Sequence, residues 1–155
     1  MEKYIYGFDL SLSNSGVAIF SDDAQLIHLM SIDTKSLKEH KDKLRLIGIN
    51  MLELKKKYPP RIAVLERGFM RYALSTEAVF KVVGLVQYLF YDVEQIFYSP
   101  MTVKKEVVGK GNVKKDEVYR VVNKLYPEII IENFDQSDAI SVALCHIYRM
   151  GIDKI

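Results

Sequence analysis

The sequence lacks the features that would place it among secreted or zinc-binding proteins. Its one cysteine, Cys145, excludes an internal disulfide framework and any cysteine-rich zinc site. The surrounding run AISVALCHIY predicts a packing role for this thiol. There is no internal repeat, low-complexity tract or Gly/Ser-rich linker, and nothing marks a domain boundary. We therefore expect one domain over residues 1–155.

The chain also lacks a long apolar run. Phe80 to Tyr91 is the longest such stretch, and Lys81 and Gln87 interrupt it well short of the length of a bilayer span. The start MEKYIYGFDL has neither the basic beginning nor the apolar core of a signal peptide. With 49% apolar and 27% charged residues, the composition is that of a folded globular protein. We expect a cytoplasmic protein with no membrane partner.

The chain has little excess of positive over negative charge, because its net charge is only +2. Its basic residues are nevertheless unevenly distributed along the sequence. Residues 35–61 hold nine Lys and Arg against three acids, and residues 101–124 hold seven against three. Two basic segments on a near-neutral domain suit binding along a phosphate backbone. Ordinary solvated helix faces explain the same pattern equally well.

The hydrophobic pattern predicts a mixed α/β fold. Three strands come first, then a helix with one buried stripe formed by Leu44, Ile47, Met51 and Leu54. The predicted strands are Lys3–Asp9, Gly16–Phe20, Gln25–Asp33, Arg61–Glu66 and Gln95–Ser99. The predicted helices are Ser36–Lys57, Thr76–Asp92, Lys114–Leu125 and Asp135–Arg149, with a helical turn at Pro100 and a loop at 109–112. This order predicts the ribonuclease H-like fold, a five-stranded mixed sheet of order 3-2-1-4-5 with helices on both faces.

Four acids fall where this fold would bring them together. Asp9 and Glu66 end two strands that are adjacent and parallel in the fold, so both emerge at the carboxyl edge where open α/β sheets bind ligands. Asp135 and Asp138 begin the last helix at i and i+3, and share one face of its first turn.

Each acid also has an ordinary explanation. Asp135 could be a helix N-cap, Asp138 could serve the helix dipole, and Asp9 could satisfy its own turn. Glu66 is harder to explain, because a carboxylate at the end of so apolar a strand is costly without a partner. Together the four would repel one another unless a cation lay among them. All-oxygen ligation suits Mg²⁺, with Mn²⁺ able to substitute. Two such ions about 4 Å apart would support phosphodiester hydrolysis.

Four stretches carry a resemblance to a known family: GFDLSLSNSGVAIF, AVLERGFM, VKKEVVGKGNVKKDEV and DQSDAISVALCH. They resemble the RuvC-type Holliday junction resolvases, especially the compact RuvC-like endonucleases of lactococcal phages. The resemblance covers nearly the whole chain. It implies a homodimer that binds a four-way junction and nicks two strands of like polarity; forks and flaps are further possible substrates. A phage-encoded protein would act in the host cytoplasm.

The resemblance assigns roles residue by residue. Asp9, Glu66, Asp135 and Asp138 match the family's metal-binding acids, and Lys104 and Lys115 match lysines near the active site and DNA. Phe69 matches an aromatic residue that contacts bases near the junction centre, although a core phenylalanine is the ordinary alternative. His146 also matches a family histidine, but its apolar surroundings favour packing. Gly7 and Gly16 suit close approach of chain segments. The further expected DNA contacts are Arg67, Arg71, Lys105, Lys110 and Lys114.

The helix from Thr76 to Asp92 corresponds to the family's dimer helix. Val79, Val82, Val83 or Leu85 could build that contact, although burial within one copy explains these residues as well.

Two departures limit what the resemblance implies. Bacterial members usually follow the first aspartate with Pro-Gly, where this chain has Leu10-Ser11, and they carry Glu-Gln where it has Glu66-Arg67. Arg67 adds positive charge beside the site. We therefore carry over no strict cleavage sequence from the family. Because no partner-binding motif is readable in the sequence, we also expect no branch-migration motor as partner.

Three other functions remain open at this point. One is a junction-binding protein that does not cut, and another is a ribonuclease H-type hydrolase of RNA–DNA hybrids. The third is an actin-like ATPase, which needs two copies of the fold where this length supplies one.

Overall fold

The computed structural model describes residues 1–67 and 73–151. The described elements begin with three strands, continue with two helix–strand pairs and end with three helices. The strands are β1 (Tyr4–Asp9), β2 (Asn14–Phe20), β3 (Leu26–Asp33), β4 (Pro60–Glu66) and β5 (Glu94–Tyr98). The helices are α1 (His40–Lys57), α2 (Ala73–Leu89), α3 (Pro100–Val108), α4 (Lys115–Leu125) and α5 (Phe134–Arg149).

The five strands form one mixed sheet in the order β3-β2-β1-β4-β5. Strands β1, β2 and β3 are antiparallel neighbours, while β4 lies parallel to both β1 and β5. The helices cover both faces, which confirms the predicted ribonuclease H-like fold. The parallel centre explains why β4 is almost wholly apolar, because a strand covered on both faces has no solvated side.

The alternation of side chains along β1 and β4 builds two separate cores. Tyr6 and Phe8 pack with α1 and α2 on one face of the sheet, and Ile5 packs with α3, α4 and α5 on the other. The predicted stripe of α1 lies in the first core, where Ile47, Met51 and Leu54 are buried and Leu44 is half-buried. Since successive strand residues point to opposite faces, Asp9 follows Ile5 and Gly7 onto the α5 face.

Helix α5 lies very close to the sheet because two glycines leave room for it. A side chain at Gly7 would overlap the backbone of Ala139, and one at Gly16 would overlap the backbone of Asp135. This confirms the predicted close approach at both positions.

One local prediction fell short, and one alternative that the sequence left open is excluded. The turn at Pro100 is a nine-residue helix, α3, capped by Ser99, whose side chain accepts a hydrogen bond from the Thr102 amide. Asp135 is not the N-cap of α5; that position belongs to Asn133, whose side chain accepts from the Gln136 amide. The Ser99-Pro100 pair is a helix-start signal, since proline fits the first helical turn. The preceding strand pattern obscured it.

Within the part of the chain that the structure describes, no helix is both long and apolar enough to cross a lipid bilayer.

Candidate active site

Asp9 and Glu66 stand side by side at the carboxyl ends of β1 and β4. The two strands are parallel, and their register pairs Phe8 with Leu65, one residue before each acid. Ile62 and Val64 of β4 belong to the core beneath α5, so the period of two also turns Glu66 toward that helix. The sheet therefore presents both carboxylates to α5, as the sequence predicts.

The first two turns of α5 supply the other two acids. Asp135 follows the Asn133 cap by two residues, and Asp138 lies three residues further on the same helix. The Asp135 carboxylate lies close enough to Asp9 to raise the pKa of Asp9, so α5 and the sheet bring these two acids together. The Asn14 side-chain amide donates a second hydrogen bond of 2.6 Å to Asp135 Oδ2.

A cavity of about 120 Å³ opens beside these groups. Three of the four acids line it together with the two lysines that the resemblance singled out, and the remaining walls come from α3, α4 and α5. The lining residues are Asp9, Glu66, Pro100, Val103, Lys104, Lys115, Val118, Asp138 and Ser141. Lys115 Nζ lies 3.5 Å from Asp138 Oδ2.

Burial and mutual repulsion make the acids reluctant to ionise. Burial, the hydrogen bond with Asp135 and the charge of Asp138 hold the pKa of Asp9 well above its usual range. Burial and the charge of Asp138 raise the pKa of Glu66 to about 7, against the opposing charges of Lys104 and Lys115. Ionisation of all these acids at once is therefore unfavourable at this edge of the sheet.

Asp138 and Lys115 show the same competition between burial and charge. Burial raises the pKa of Asp138 more than the neighbouring ammonium of Lys115 lowers it. Burial lowers the pKa of Lys115, but the carboxylates of Asp138 and Asp9 outweigh this effect, and the pKa is raised. A positive charge is thus strongly favoured in the cavity.

In this structure two of the four carboxylates contact polar groups of the protein. Within residues 1–67 and 73–151, no three His, Cys, Asp or Glu side chains are arranged to hold a metal ion. Asp135 accepts from Asn14, and Asp138 is paired with Lys115. The donors nevertheless fit a hard divalent cation, because they are carboxylate oxygens whose repulsion such a cation would relieve.

The other basic residues predicted to bind DNA lie outside the cavity. Lys105, Lys110 and Lys114 are exposed along α3, the following loop and the start of α4. Arg67 is exposed just after Glu66, with its guanidinium 5.4 Å from the centre of the Phe97 ring.

Two predicted contacts, Phe69 and Arg71, lie outside the described residues.

The two residues assigned to packing are buried. Cys145 is fully enclosed in the core. His146 is 7% exposed, and its Nδ1 lies 2.9 Å from the Tyr98 hydroxyl. Both packing predictions are confirmed.

Sequence reasoning missed Asn14. It is a buried polar residue at the start of β2, and its partner Asp135 is 121 residues away along the chain. The only available signal was a polar residue opening an otherwise apolar strand, NSGVAIF. That signal does not identify the partner.

A mixed sheet of this order, with carboxylates at the carboxyl edge of its central parallel strands, defines the class of ribonuclease H-like nucleases. Comparison with known proteins narrows the class. The family described as "Crossover junction endodeoxyribonuclease RuvC" matches residues 5–146, and the chain belongs to this family.

Relatives and solved structures agree with this assignment. The crossover junction endodeoxyribonuclease RuvC of Ehrlichia ruminantium is 30% identical over 155 residues, covering 94% of this chain and 97% of the relative. That of Brachyspira hyodysenteriae is 32% identical over 126 residues, covering 78% and 77%. Thermus thermophilus RuvC, solved in complex with a Holliday junction substrate, superposes with a TM-score of 0.82 over 98% of both chains at 24% identity. The last similarity shows a shared fold.

Proposed function

We propose that this chain is an endonuclease that resolves four-way DNA junctions, and cuts other branched DNA in the cytoplasm, by metal-assisted hydrolysis of phosphodiester bonds. One observation carries the proposal: Asp9, Glu66 and Asp138 share a cavity with Lys104 and Lys115. Junction DNA as substrate is supported by membership of the crossover junction endodeoxyribonuclease family. It is further supported by the Thermus thermophilus protein of the same fold, which was solved with a Holliday junction.

The four acids would hold Mg²⁺, or Mn²⁺ in its place, in a site for two ions. Bound there, the metal supplies a water of lowered pKa and stabilises charge on the leaving 3′ oxygen. The chain's contribution is a fixed set of carboxylates, three on the cavity wall and Asp135 beside Asp9. Their raised pKa values reflect repulsion and burial that a bound cation would offset.

The two lysines are suited to hold the scissile phosphate. Lys115 extends from solvent into the cavity, where its side chain is 63% exposed and that of Asp138 is 19% exposed. The Lys115 ammonium would donate to a phosphate oxygen and stabilise the charge that develops there. Lys104, from α3, lines the cavity beside it.

The flanking DNA would follow the exposed basic surface formed by Lys105, Lys110 and Lys114. These lysines would neutralise backbone phosphates and fix the position of the duplex without reading its sequence. Arg67 adds a cation next to Glu66. Phe69 and Arg71, one and three residues after Gly68 in the sequence, are proposed to contact the unpaired centre of the junction.

Two copies would be needed to nick a junction symmetrically, and α2 offers a surface for their contact. Val82 is fully buried, so it cannot make the contact that the sequence left open for it. The exposed side of α2 instead carries Phe80 and Tyr88, 55% and 74% exposed, with Tyr91 beyond its end at 79%. Such exposed aromatic side chains are typical of protein contact surfaces.

The test is incubation of the protein with end-labelled four-way junctions, forks, linear duplex and RNA–DNA hybrid in Mg²⁺ and in Mn²⁺. We expect paired nicks in the junction and little cutting of linear duplex. Failure to nick any branched substrate in either metal contradicts the proposal. Faster cutting of the hybrid than of the junction points instead to a ribonuclease H-type hydrolase.

The variant Asp138→Asn separates cutting from binding. It removes one carboxylate charge facing the phosphates, so the variant should bind junctions at least as well as the wild type while losing cleavage. Glu53→Asn is the control, because Glu53 is an exposed acid on α1. A protein that binds junctions without cutting them in its wild-type form is a binding protein, the second function considered.

A further inference from the structure

Asn14 makes a contact with the candidate site that the reaction scheme does not use. Its side chain is 7% exposed, and its amide Nδ2 donates to Asp135 Oδ2 at 2.6 Å. Asp135 also interacts with the carboxylate of Asp9. Asp135 is therefore held between a neutral donor on β2 and an acid on β1.

The backbone at Asn14 is fixed before its side chain makes this contact. The backbone N–H of Asn14 donates to Ser11 Oγ at 3.0 Å, and the Ser11 hydroxyl donates to the backbone carbonyl of Asn14 at 2.8 Å. Ser15 closes the same loop through its hydroxyl, which donates to the Ser11 carbonyl at 2.7 Å. A side chain that starts from so constrained a backbone loses little further freedom when it binds a partner.

The start of α5 is held independently of Asn14. Asn133 and Gln136 each donate a side-chain hydrogen bond to Ser31 Oγ on β3, at 2.9 and 3.0 Å. Asn133 Oδ1 also accepts from the Gln136 amide. These bonds fix the backbone on both sides of Asp135 but do not touch its carboxylate. Among the described residues, the Asn14 side-chain amide donates the hydrogen bond that fixes the carboxylate itself.

We infer that Asn14 is a positioning residue that holds the Asp135 carboxylate in the orientation needed to bind a divalent cation. The inference rests on the proposed function, because it takes Asp135 as a metal ligand. A hydrogen bond to one oxygen of a ligating carboxylate fixes the plane of the group and leaves its second oxygen available. Removal of such a partner commonly weakens metal binding by about 10- to 100-fold.

The experiment measures Mn²⁺ affinity, by electron paramagnetic resonance of free Mn²⁺ and by the Mn²⁺-dependent rise in Tm. Asn14→Leu replaces the amide with an apolar group of similar size. We expect its dissociation constant for Mn²⁺ to rise about tenfold or more. We also expect the metal concentration that half-saturates junction cleavage to rise in parallel, with junction affinity in EDTA unchanged.

Asn50→Leu is the matched control. Asn50 is a half-buried asparagine on α1 whose amide donates to the Leu46 carbonyl at 2.9 Å, away from the cavity. This substitution should change Tm without changing Mn²⁺ affinity. If Asn14→Leu does not fold, Asn14→Ser takes its place, because a serine hydroxyl is too short to reach Asp135 and predicts the same loss of affinity.

A merely structural role for Asn14 makes a different prediction. The metal-free Tm would fall and Mn²⁺ affinity would stay at the wild-type value, which overturns the inference. Wild-type protein without saturable Mn²⁺ binding overturns it as well. If wild-type protein binds Mn²⁺ but nicks no branched DNA, the proposed function fails, and the affinity comparison still decides the role of Asn14.

Discussion

The Lys115 ammonium nitrogen lies 3.5 Å from a carboxylate oxygen of Asp138, and this ion pair joins the start of α4 to the second turn of α5. It brings a cation from the basic segment to the edge of a cavity lined by three acids. The ion pair thus connects the four acids with the basic segment 101–124, which are separate features in the sequence.

Removal of the Lys115 ammonium should impair catalysis far more than DNA binding. In Lys115→Met, the phosphate loses a charged donor that acts where charge develops, so we expect nicking at saturating Mg²⁺ to slow by about 100-fold. Single-turnover cleavage of a labelled junction measures the rate.

Lys114→Met is the control, because Lys114 is an exposed neighbour whose side chain makes no capping hydrogen bond to α4. It should reduce junction affinity slightly and leave the single-turnover rate unchanged. Equal losses of rate in the two variants would show that Lys115 contributes only general positive charge.

The metal-free protein should lose stability as the pH rises from about 4.5 to about 7. The pKa of Glu66 is raised from 4.5 to about 7, so the folded state binds this proton more tightly than the unfolded state across that window. The protonated Glu66 carboxyl contributes its full share of the unfolding free energy below pH 4.5, and this share is lost as the carboxyl ionises in the folded state toward pH 7. It corresponds to about 3 kcal/mol of unfolding free energy. Urea unfolding in EDTA at a series of pH values measures it.

Glu66→Gln isolates this contribution from those of other acids. Its stability advantage over the wild type should grow by about 3 kcal/mol across the same window. Added Mg²⁺ should narrow or reverse the advantage, since only the wild type gains from binding the metal through this carboxylate. A difference that does not vary with pH would argue against a destabilising charge at Glu66.

Gly16→Ala should damage the site through the backbone of α5. The added methyl would overlap the Asp135 carbonyl, which is main chain and cannot rotate away. We expect a loss of unfolding free energy of about 1 to 3 kcal/mol and a larger proportional loss of cleavage. Thermal unfolding and the nicking assay provide the two readouts.

The matched variant is Gly48→Ala on α1, where a side chain would meet only the Leu85 methyl groups at 3.8 and 3.9 Å, ordinary van der Waals distances. Alanine in a helix interior is favoured over glycine by about 1 kcal/mol, so this variant should be slightly more stable and cut normally. A Gly16→Ala protein that is as stable and as active as this control variant would refute the close approach of α5 to the sheet.

A charge on the exposed side of α2 should prevent dimer formation. In Tyr88→Arg, the substituted side chain is 74% exposed in the single copy, so the fold should tolerate it while the proposed contact does not. Sedimentation velocity should show a monomer that binds junctions weakly and no longer makes paired nicks. Ile130→Arg, at an 85% exposed position after α4, should remain dimeric. Unchanged dimerisation of the α2 variant would place the contact elsewhere.

The sequence was sufficient to predict the strand order and the neighbourhood of Asp9 and Glu66. Both acids end strongly patterned strands, and a parallel pair of strands brings its carboxyl ends to one edge whatever the details of packing. The apolar run of α5 was equally clear. These features depend on local pattern and on topology, and both can be read along the chain.

What the sequence could not supply depends on contacts between distant segments. Asn133 rather than Asp135 caps α5, because both residue types favour that position and only the path of the preceding loop decides between them. The bond from Asn14 to Asp135 and the pairing of Lys115 with Asp138 depend on how α4 and α5 dock on the sheet. The burial of Val82 was equally hard to predict, because an apolar helix has no polar side to show which residues are exposed.

The central claim is that the four acids form one site for divalent cations, and anomalous diffraction from crystals grown with Mn²⁺ tests it most directly. We predict anomalous density enclosed by Asp9, Glu66 and Asp138, with Asp135 at its side, and loss of that density in Asp9→Asn crystals prepared in the same way. Ordered crystals at a saturating Mn²⁺ concentration that show no density at this edge of the sheet would contradict the claim.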